Sequence, residues 1–325
     1  MSETCPDGRR VDAAVGPDEQ SLERLDRVIS ESLAVDLHSH SRHSDGHWTP
    51  GELIEEARGL GLALVSLTDH DRLEGQAEAA HAARAGGLLF LPGMEVSLSV
   101  EGRLYHVLCY DFDWTSALWE EFRRHRRRAI ERFHLHMFDQ LRTRGYAVDP
   151  DLARGEDGWL VNDPLPHAVL RAGLAPTLDA ARQLVNGLSL RRPVELTYLD
   201  LAEFAALVPP GAAVFSVAHP ARQEPGVSVR LTEEDLRHLT QALPLVALEA
   251  YHPYHSAADV EWYRGLAARH GLAVTCGSDA HGHPVRRPLR PHPADLCADF
   301  LRIIRDRWAR RATAASAGLQ ERIVH

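Results

Sequence analysis

Nine histidines and acids stand where apolar runs end, and their side chains suit a metal site. In chain order they are His38, His40, Asp45, His70, Glu95, His106, His219, Asp279 and His281. Neutral imidazoles and carboxylates bind Zn²⁺, Mn²⁺ and Fe²⁺ in proteins. Because zinc usually takes about four ligands, nine candidates exceed what one ion can use. The sequence therefore predicts a centre with two or three divalent ions.

Two short motifs place candidate ligands in pairs. Side chains alternate along a strand with a period of two, so the imidazoles of His38 and His40 point to the same side. Asp279 and His281 repeat this spacing in the stretch SDAH. A carboxylate can bridge two ions and a neutral histidine cannot, so Glu95 is the candidate bridge. Taken alone, His106 could equally be a histidine of the hydrophobic core.

A centre of this composition suits the hydrolysis of phosphate esters. Divalent ions generate hydroxide near neutral pH, neutralise phosphate oxygens and stabilise the leaving oxygen. Glu95 is accordingly a catalytic candidate. His252 follows the apolar run that ends at Glu249, so it is expected on the same face as a substrate contact, as a general acid or only as part of the rim. A nucleophilic role for Ser278 is disfavoured by the metal candidates beside it.

Arginines are the candidate phosphate contacts. All 36 basic residues are arginine, which excludes a Schiff-base lysine, a P-loop lysine and a carbamylated lysine between metals. Arg222 follows His219 by three residues and starts near the metals, and its guanidinium suits phosphate recognition. Arg128 and Arg132 lie in an arginine-rich stretch at 123–132 that is predicted to be helical. Most of that stretch must face water, but one or two of its side chains could enter the pocket.

Charge and composition narrow the partners and the location. The formal net charge of −10 disfavours binding to duplex nucleic acid, while a small phosphorylated substrate or short single-stranded RNA stays possible. No apolar run reaches the ~20 residues of a membrane span, and the first residues lack a secretory signal. The four cysteines form no CxxC pair, so a reduced cytoplasmic protein is expected. The oligomeric state is left open.

Alternating apolar runs and helical patterns predict an α/β fold. Strands are predicted at 33–37, 62–67, 88–91, 104–110, 213–217, 245–249 and 273–276. The ligand candidates follow such runs, and active sites of β/α barrels lie at the carboxyl ends of the strands. Seven strands with intervening helices favour an irregular β/α barrel over a doubly wound sheet.

Helical patterns divide the chain into three parts. Thr49 is a predicted N-cap with Pro50 at the first helical position and Glu52 completing a capping box. Further helices are predicted at 21–32 and 74–85. Residues 1–33 form an N-terminal extension, 34–113 and 211–325 the metal-binding barrel with a C-terminal helix, and 114–210 an inserted helical cap.

Five motifs together carry a family resemblance. DLHSHSRHSDG, TDHD, GMEVS, AHP and GSDAH resemble the motifs of the polymerase-and-histidinol-phosphatase (PHP) family, over about residues 34–285. Within that family the chain is most similar to bacterial phosphoesterases that act on nucleoside 3′,5′-bisphosphates and on short RNA 5′ ends. The resemblance implies a distorted seven-stranded TIM-like barrel under a helical cap. It also implies two or three ions, most often Mn²⁺, with Zn²⁺ or Fe²⁺ as alternatives.

The resemblance also implies how the ligands are shared among the ions. One ion would be held by His38, His40, Glu95 and Asp279. A second would be held by Glu95, His106 and His219, with Glu95 bridging, and a third by Asp45, His70 and His281. The chain departs from the family in the cap, where Leu165 precedes Pro166 and His167 and the family usually has an arginine that grips a substrate phosphate. This departure leaves phosphoester hydrolysis intact but opens the question of a bisphosphate substrate.

Other functions are compatible with parts of the pattern. The substrate could be histidinol phosphate or a cyclic phosphate instead of a nucleotide. Hydrolysis of a carbon–nitrogen bond is disfavoured by the missing lysine and the three carboxylates. A non-catalytic metal-binding module is disfavoured because none of the nine candidates is missing.

Overall fold

The computed structural model describes residues 18–156, 158–161, 163–223, 230–282 and 288–323, with side chains to 314. Its strands are β1 Ala34–Asp36, β2 Leu64–Val65, β3 Leu89–Phe90, β4 Gly93–Val100, β5 Arg103–Tyr110, β6 Leu199–Asp200, β7 Val214–Val217, β8 Leu245–Tyr251, β9 Ala273–Cys276 and β10 His292–Pro293. These strands form two sheets, with the orders β10-β1-β2-β3 and β6-β4-β5-β7-β8-β9. Strands β1, β2 and β3 are parallel, as are β7, β8 and β9, whereas β5 is antiparallel to both β4 and β7.

Isolated bridges connect the two sheets beside the candidate ligands. Ser39 pairs with Ala280, and His70 pairs with Glu95. The α/β fold with parallel strands is confirmed. Its ladders divide into two sheets, and closure into one seven-stranded barrel stays a prediction.

The helices alternate with the strands over most of the chain. They are α1 Glu19–Ser30, α2 Pro50–Gly59, α3 Gln76–Gly86, α4 Ala117–Thr143, α5 Pro164–Arg171, α6 Leu178–Gly187, α7 Val194–Thr197, α8 Leu201–Leu207, α9 Glu233–Ala242, α10 Ala257–Arg269 and α11 Ala298–Ile323. The predicted capping box at Thr49 and Glu52 is present. Among the described residues, no helix has both the length and the apolar character that a membrane crossing requires.

The stretch predicted to form the cap has a hydrophobic core of its own. Met137, Phe138 and Leu141 of α4 pack there with Leu165 and Val169 of α5. The end of the stretch behaves differently, since β6 pairs with β4 and α8 packs into the larger core behind β4 and β5. The division of the chain at 114 and 210 stays a prediction.

Helix α11 holds the two chain segments that enter and leave this stretch. The Arg307 Nε donates to Asp111 Oδ2 at 2.7 Å, and its Nη2 donates to the Gly211 carbonyl at 3.0 Å. Trp308 Nε1 donates to the same carboxylate, and Arg311 also binds it. The N-terminal helix α1 packs beside α11 through the buried Leu25 and Val28. These contacts tie α11 to both ends of the helical stretch, next to strands β5 and β7.

Candidate metal centre

Four buried side chains from distant segments converge at the centre of the site. His38 and His40 follow β1, Glu95 belongs to β4, and Asp279 follows β9. One ligand atom from each of the four lies within 4.8 Å of the others. The His40 Nε2 atom lies 3.1 Å from Asp279 Oδ1 and 3.1 Å from Glu95 Oε2. The spacing and the donor types suit a divalent ion.

The two carboxylate oxygens of Glu95 face different sets of imidazoles. Oε2 lies 3.0 Å from His38 Nε2 and 3.3 Å from His70 Nδ1. Oε1 lies 2.8 Å from His106 Nδ1 and 2.8 Å from His219 Nε2. A carboxylate that presents one oxygen to each of two ligand sets has the geometry of a bridge between two ions.

A further group lies at the edge of the site. His40, Asp45 and His281 offer ligand atoms within 4.8 Å of one another, and the Asp45 side chain is 49% exposed. The resemblance placed His70 in this third set. The structure instead groups His70 with Glu95 and His106, and its ring stacks on that of His40 with centroids 4.6 Å apart. All nine candidates thus meet in one region, while their division among ions stays a prediction.

Two candidate ligands lie within strands: the predicted strand 104–110 already contains His106, whereas Glu95 was expected just past the end of a strand. Glu95 is in β4 and His106 is in β5, which form an antiparallel hairpin. The hairpin turns at Glu101 and Gly102, both with positive φ, and its two strands bring Glu95 and His106 to the same site. Glu95 is paired with Leu108 and His106 with Ser97, so the two ligands are diagonal neighbours. Strand β4 was not among the predicted strands.

The backbone is strained at two candidate ligands. His219 has a φ of 23° and Asp279 a φ of 51°, in the region that favours glycine. Non-glycine residues with such angles cost about 1–3 kcal/mol each and cluster at functional sites. Gly277, close before Asp279, must be glycine because an added Cβ would collide with the Cβ of His38. The loop after β9 is thus shaped for close approach to the loop after β1.

Charges at the site shift the pKa values of its groups in opposite directions. Burial alone would raise the pKa of Glu95, but the surrounding histidines outweigh burial and hold that pKa well below its usual value. Burial would lower the pKa of His40, but Asp279 and Glu95 raise it to about 9. Burial dominates at His219 and lowers its pKa to about 3. Carboxylates are therefore ionised, and some imidazoles are neutral, as metal ligands must be.

One buried nitrogen gives a direct test of the fit to a metal. Within the described residues, His70 Nδ1 is buried and forms no hydrogen bond, although Glu95 Oε2 lies 3.3 Å away. Buried polar atoms are almost always satisfied, so an orphaned imidazole nitrogen in a ring of carboxylates and histidines suggests a ligand. The donor set and this nitrogen fit a divalent cation. His38, His40, Glu95 and Asp279 would hold one ion, and Glu95 would extend to a second with His106 and His219. His70 adjoins both sets, with its ring centroid 4.6 Å from that of His40 and 4.8 Å from that of His106.

His252 and Arg222 both approach the outer oxygen of Asp279. His252 Nε2 lies 3.5 Å from Asp279 Oδ2, and Arg222 Nη1 lies 3.7 Å from it. The Tyr254 backbone N–H donates to His252 Nδ1 at 3.2 Å, so the neutral ring carries its proton on Nε2. His252 thus presents an N–H to the site, beside a guanidinium.

The arginines of α4 are placed differently from the sequence-based expectation. Arg128 and Arg132 are exposed, and Arg132 lies 3.6 Å from Glu203. In the described part of the chain, neither has a hydrogen bond or ion pair with a candidate ligand. Arg126 is the inward one, since its Nε donates to Asp71 Oδ2 at 2.9 Å and its Nη1 to the Thr197 carbonyl at 3.1 Å. Helical spacing alone did not single out Arg126.

Buried acids that support the ligands were also missed by the sequence analysis. Asp69 accepts from the Ser41 backbone N–H at 2.7 Å and from Ser44 Oγ at 2.7 Å, and thereby shapes the loop that carries Asp45. Asp36 accepts from the Ser278 backbone N–H at 3.0 Å. The sequence signal that could have found these acids is their position, since each lies within or beside an apolar run that precedes candidate ligands.

Comparison with known proteins gives a consistent result. The model of the PHP domain family matches residues 36–306. A 3′,5′-nucleoside bisphosphate phosphatase from Chromobacterium violaceum is 32% identical over 257 residues, 76% of this chain and 87% of that protein. A 5′-3′ exoribonuclease from Haemophilus influenzae is 27% identical over 58% of this chain and 69% of its own length. A phosphoribosyl 1,2-cyclic phosphate 1,2-diphosphodiesterase from Eggerthella lenta is 28% identical over 79% and 97%.

A solved structure has a similar fold. It is that of a Bifidobacterium adolescentis protein predicted to be a metal-dependent phosphoesterase, with a TM-score of 0.59 and 27% identity. The match covers 83% of this chain and 96% of that one. The similarity therefore extends over most of both chains.

Proposed function

The chain belongs to the PHP domain family and is a metal-dependent phosphoesterase of that family. We propose that it hydrolyses phosphomonoesters of nucleotides or of similarly small phosphorylated compounds. Nucleoside 3′,5′-bisphosphates and the 5′ ends of short RNA are the leading substrates. The observation that carries the proposal is Glu95, whose two oxygens face separate sets of histidines. We propose two or three bound ions, with Mn²⁺ favoured, in a cytoplasmic protein.

The proposed chemistry combines the metal centre with two nearby side chains. Divalent ions, when bound, would supply hydroxide near neutral pH and would neutralise charge on the phosphoryl oxygens. His252 presents its Nε2–H to the site and is placed to donate a hydrogen bond to an oxygen of the substrate phosphate. Arg222, beside Asp279 at the edge of the centre, is placed to bind a phosphate oxygen.

The choice of phosphate contact follows from the helical stretch. Leu165, where the family usually has an arginine, is 4% exposed and packs in the core of that stretch. A side chain buried there has no route to a substrate phosphate. We therefore propose that Arg222 supplies the contact, in preference to Arg128 and Arg132, which are exposed on α4.

The test is phosphate release by the purified protein after reconstitution with Mn²⁺. Adenosine 3′,5′-bisphosphate, AMP, a short 5′-phosphorylated RNA and histidinol phosphate form the panel, with Glu95→Gln as the matched inactive control. The expected result is release of inorganic phosphate from at least one nucleotide by the wild type alone. No turnover of any phosphate ester with the metals fully loaded would contradict the proposal.

A cyclic phosphate is the second candidate substrate. The Eggerthella lenta relative that carries this activity in its name is matched over 97% of its length. Adding a ribose 1,2-cyclic phosphate to the panel separates the two candidates. A clear preference for the cyclic compound over both nucleotides would favour this second function.

A further inference from the structure

A fully buried carboxylate outside the nine candidates contacts two of them. Glu249 lies in β8 and has no exposed surface. Strand β8 lies between β7 and β9, and its register with β9 shifts between Glu249 and Tyr251. Such an irregularity re-aims side chains next to functional sites. Here the Glu249 side chain is directed toward the candidate ligands His38 and His219.

The contacts of Glu249 reach two different parts of the centre. His38 Nδ1 lies 3.0 Å from Oε1 and 3.2 Å from Oε2. The His219 backbone N–H donates to Oε2 at 2.7 Å. One carboxylate thus holds the ring of a ligand after β1 and the backbone of a ligand after β7.

The first contact decides which nitrogen of His38 is free. An ionised carboxylate only accepts hydrogen bonds, so His38 must carry its proton on Nδ1. The lone pair is then on Nε2, which lies 3.0 Å from Glu95 Oε2 and 3.7 Å from Asp279 Oδ1. Carboxylates that orient metal-binding histidines in this way typically change metal affinity 10–100-fold when removed.

The second contact holds a strained backbone. His219 has a φ of 23°, which a side-chain-bearing residue adopts only when its surroundings impose it. The hydrogen bond from its N–H to Glu249 supplies such a restraint. In this conformation the ring of His219 places Nε2 at 2.8 Å from Glu95 Oε1.

We propose that Glu249 is a positioning residue that sets the Nδ1–H tautomer of His38 and the backbone conformation of His219, so that both Nε2 atoms face the metal centre. The inference rests on the proposed metal-dependent function. It adds a residue that neither contacts the substrate nor binds a metal.

Glu249→Gln is the sharpest change because it keeps the size of the side chain. The His219 backbone N–H can only donate, so it retains the Gln oxygen and turns the Gln NH₂ toward His38 Nδ1. An NH₂ donor there favours the opposite tautomer of His38, with the proton on Nε2. Ser216→Ala is the matched control, because Ser216 is fully buried in the neighbouring strand β7 and its hydroxyl bonds Thr275, which is not a candidate ligand, at 3.0 Å.

The experiment is a Mn²⁺ titration of the metal-free full chain, with free Mn²⁺ followed by electron paramagnetic resonance. Glu249→Gln is expected to weaken at least one ion by about 10–100-fold, and Ser216→Ala by less than about twofold. Wild-type Mn²⁺ affinity in Glu249→Gln would overturn the positioning role of Glu249 and would leave the proposed function intact. A wild type that binds no divalent ion would overturn the metal centre and this inference with it.

A second measurement is made on the wild type, so it does not depend on the folding of a Glu249 variant. In zinc-loaded wild type labelled with ¹⁵N-histidine, the His38 signals, assigned by their loss in His38→Gln, report which nitrogen carries the proton. A proton on Nδ1 is expected. A proton on Nε2 would overturn the proposal whatever the titration shows.

Discussion

The candidate metal centre and the surface of helix α4 are both rich in charged side chains, but their partners come from different distances along the chain. At the centre, His219 contacts Glu95 across 124 residues, and both side chains are almost completely buried. On α4, Arg123 contacts Glu120 and Arg124 contacts Glu121, each three residues away and partly exposed. One set is defined by tertiary structure and the other by a single helix.

The difference indicates where the chemistry lies. Exposed ion pairs on a helix contribute about 0.3–0.5 kcal/mol to stability and are screened by salt, so they do little to fix the positions of their side chains. Buried charges must be paired or coordinate a metal, because leaving them alone is expensive. Arg126 belongs to both regions, since it starts on α4 and binds Asp71 beside the candidate ligand His70.

The strongest test of the buried region is Glu95→Gln. The amide cannot present a charged oxygen to each ligand set, so one ion should be lost and the rate should fall by several orders of magnitude. His106→Asn, on one side of the bridge, should damage a single site. Metal content and kcat/KM are measured on both variants. Near-normal metal and turnover in Glu95→Gln would show that the assigned ligand set is wrong.

Removal of Arg222 tests the boundary between the two regions. Loss of a charge-assisted phosphate contact of about 1.5–3 kcal/mol should lower kcat/KM about ten- to a hundredfold. For Arg222→Ala we expect this loss on adenosine 3′,5′-bisphosphate and a smaller one on AMP. Steady-state kinetics on both substrates measure it. Equal losses would place Arg222 outside the recognition of the second phosphate.

The pH dependence of metal binding tests the buried region, because protons compete with the ion for its histidines. Nearby carboxylates raise the pKa of His40 to about 9 in the metal-free protein, so below that pH a proton competes with the ion. Affinity should therefore rise with pH up to about 9, by at most tenfold per unit for each proton displaced. Titrations of Mn²⁺ at several pH values, with the protons released counted in weak buffer, measure this. Affinity independent of pH between 6 and 8 would contradict it.

The smallest effect is expected on the exposed face of α4. Arg128→Ala removes an exposed side chain and should change kcat/KM and stability by less than about 0.5 kcal/mol. Its kinetics serve as the control for Arg222→Ala, on the same two substrates. A loss on the bisphosphate comparable to that of Arg222→Ala would mean that α4 closes over the substrate more tightly than the structure shows.

The sequence by itself determined the chemistry and much of the local structure. The candidate metal-binding side chains, the strand that precedes His38 and the capping box at Thr49 follow from residue types and short spacings. The family motifs and the α/β class follow from the same local patterns. Such features depend on neighbours within a few residues.

The tertiary structure decided which of these side chains meet. The hairpin of β4 and β5 brings Glu95 and His106 across the site, and an irregularity in β8 brings Glu249 under His38. The inward turn of Arg126, two residues from the exposed Arg128, depends on the packing of α4 against the sheets. Distances between ligands are set by strand pairing and register across more than a hundred residues, and no local pattern encodes them.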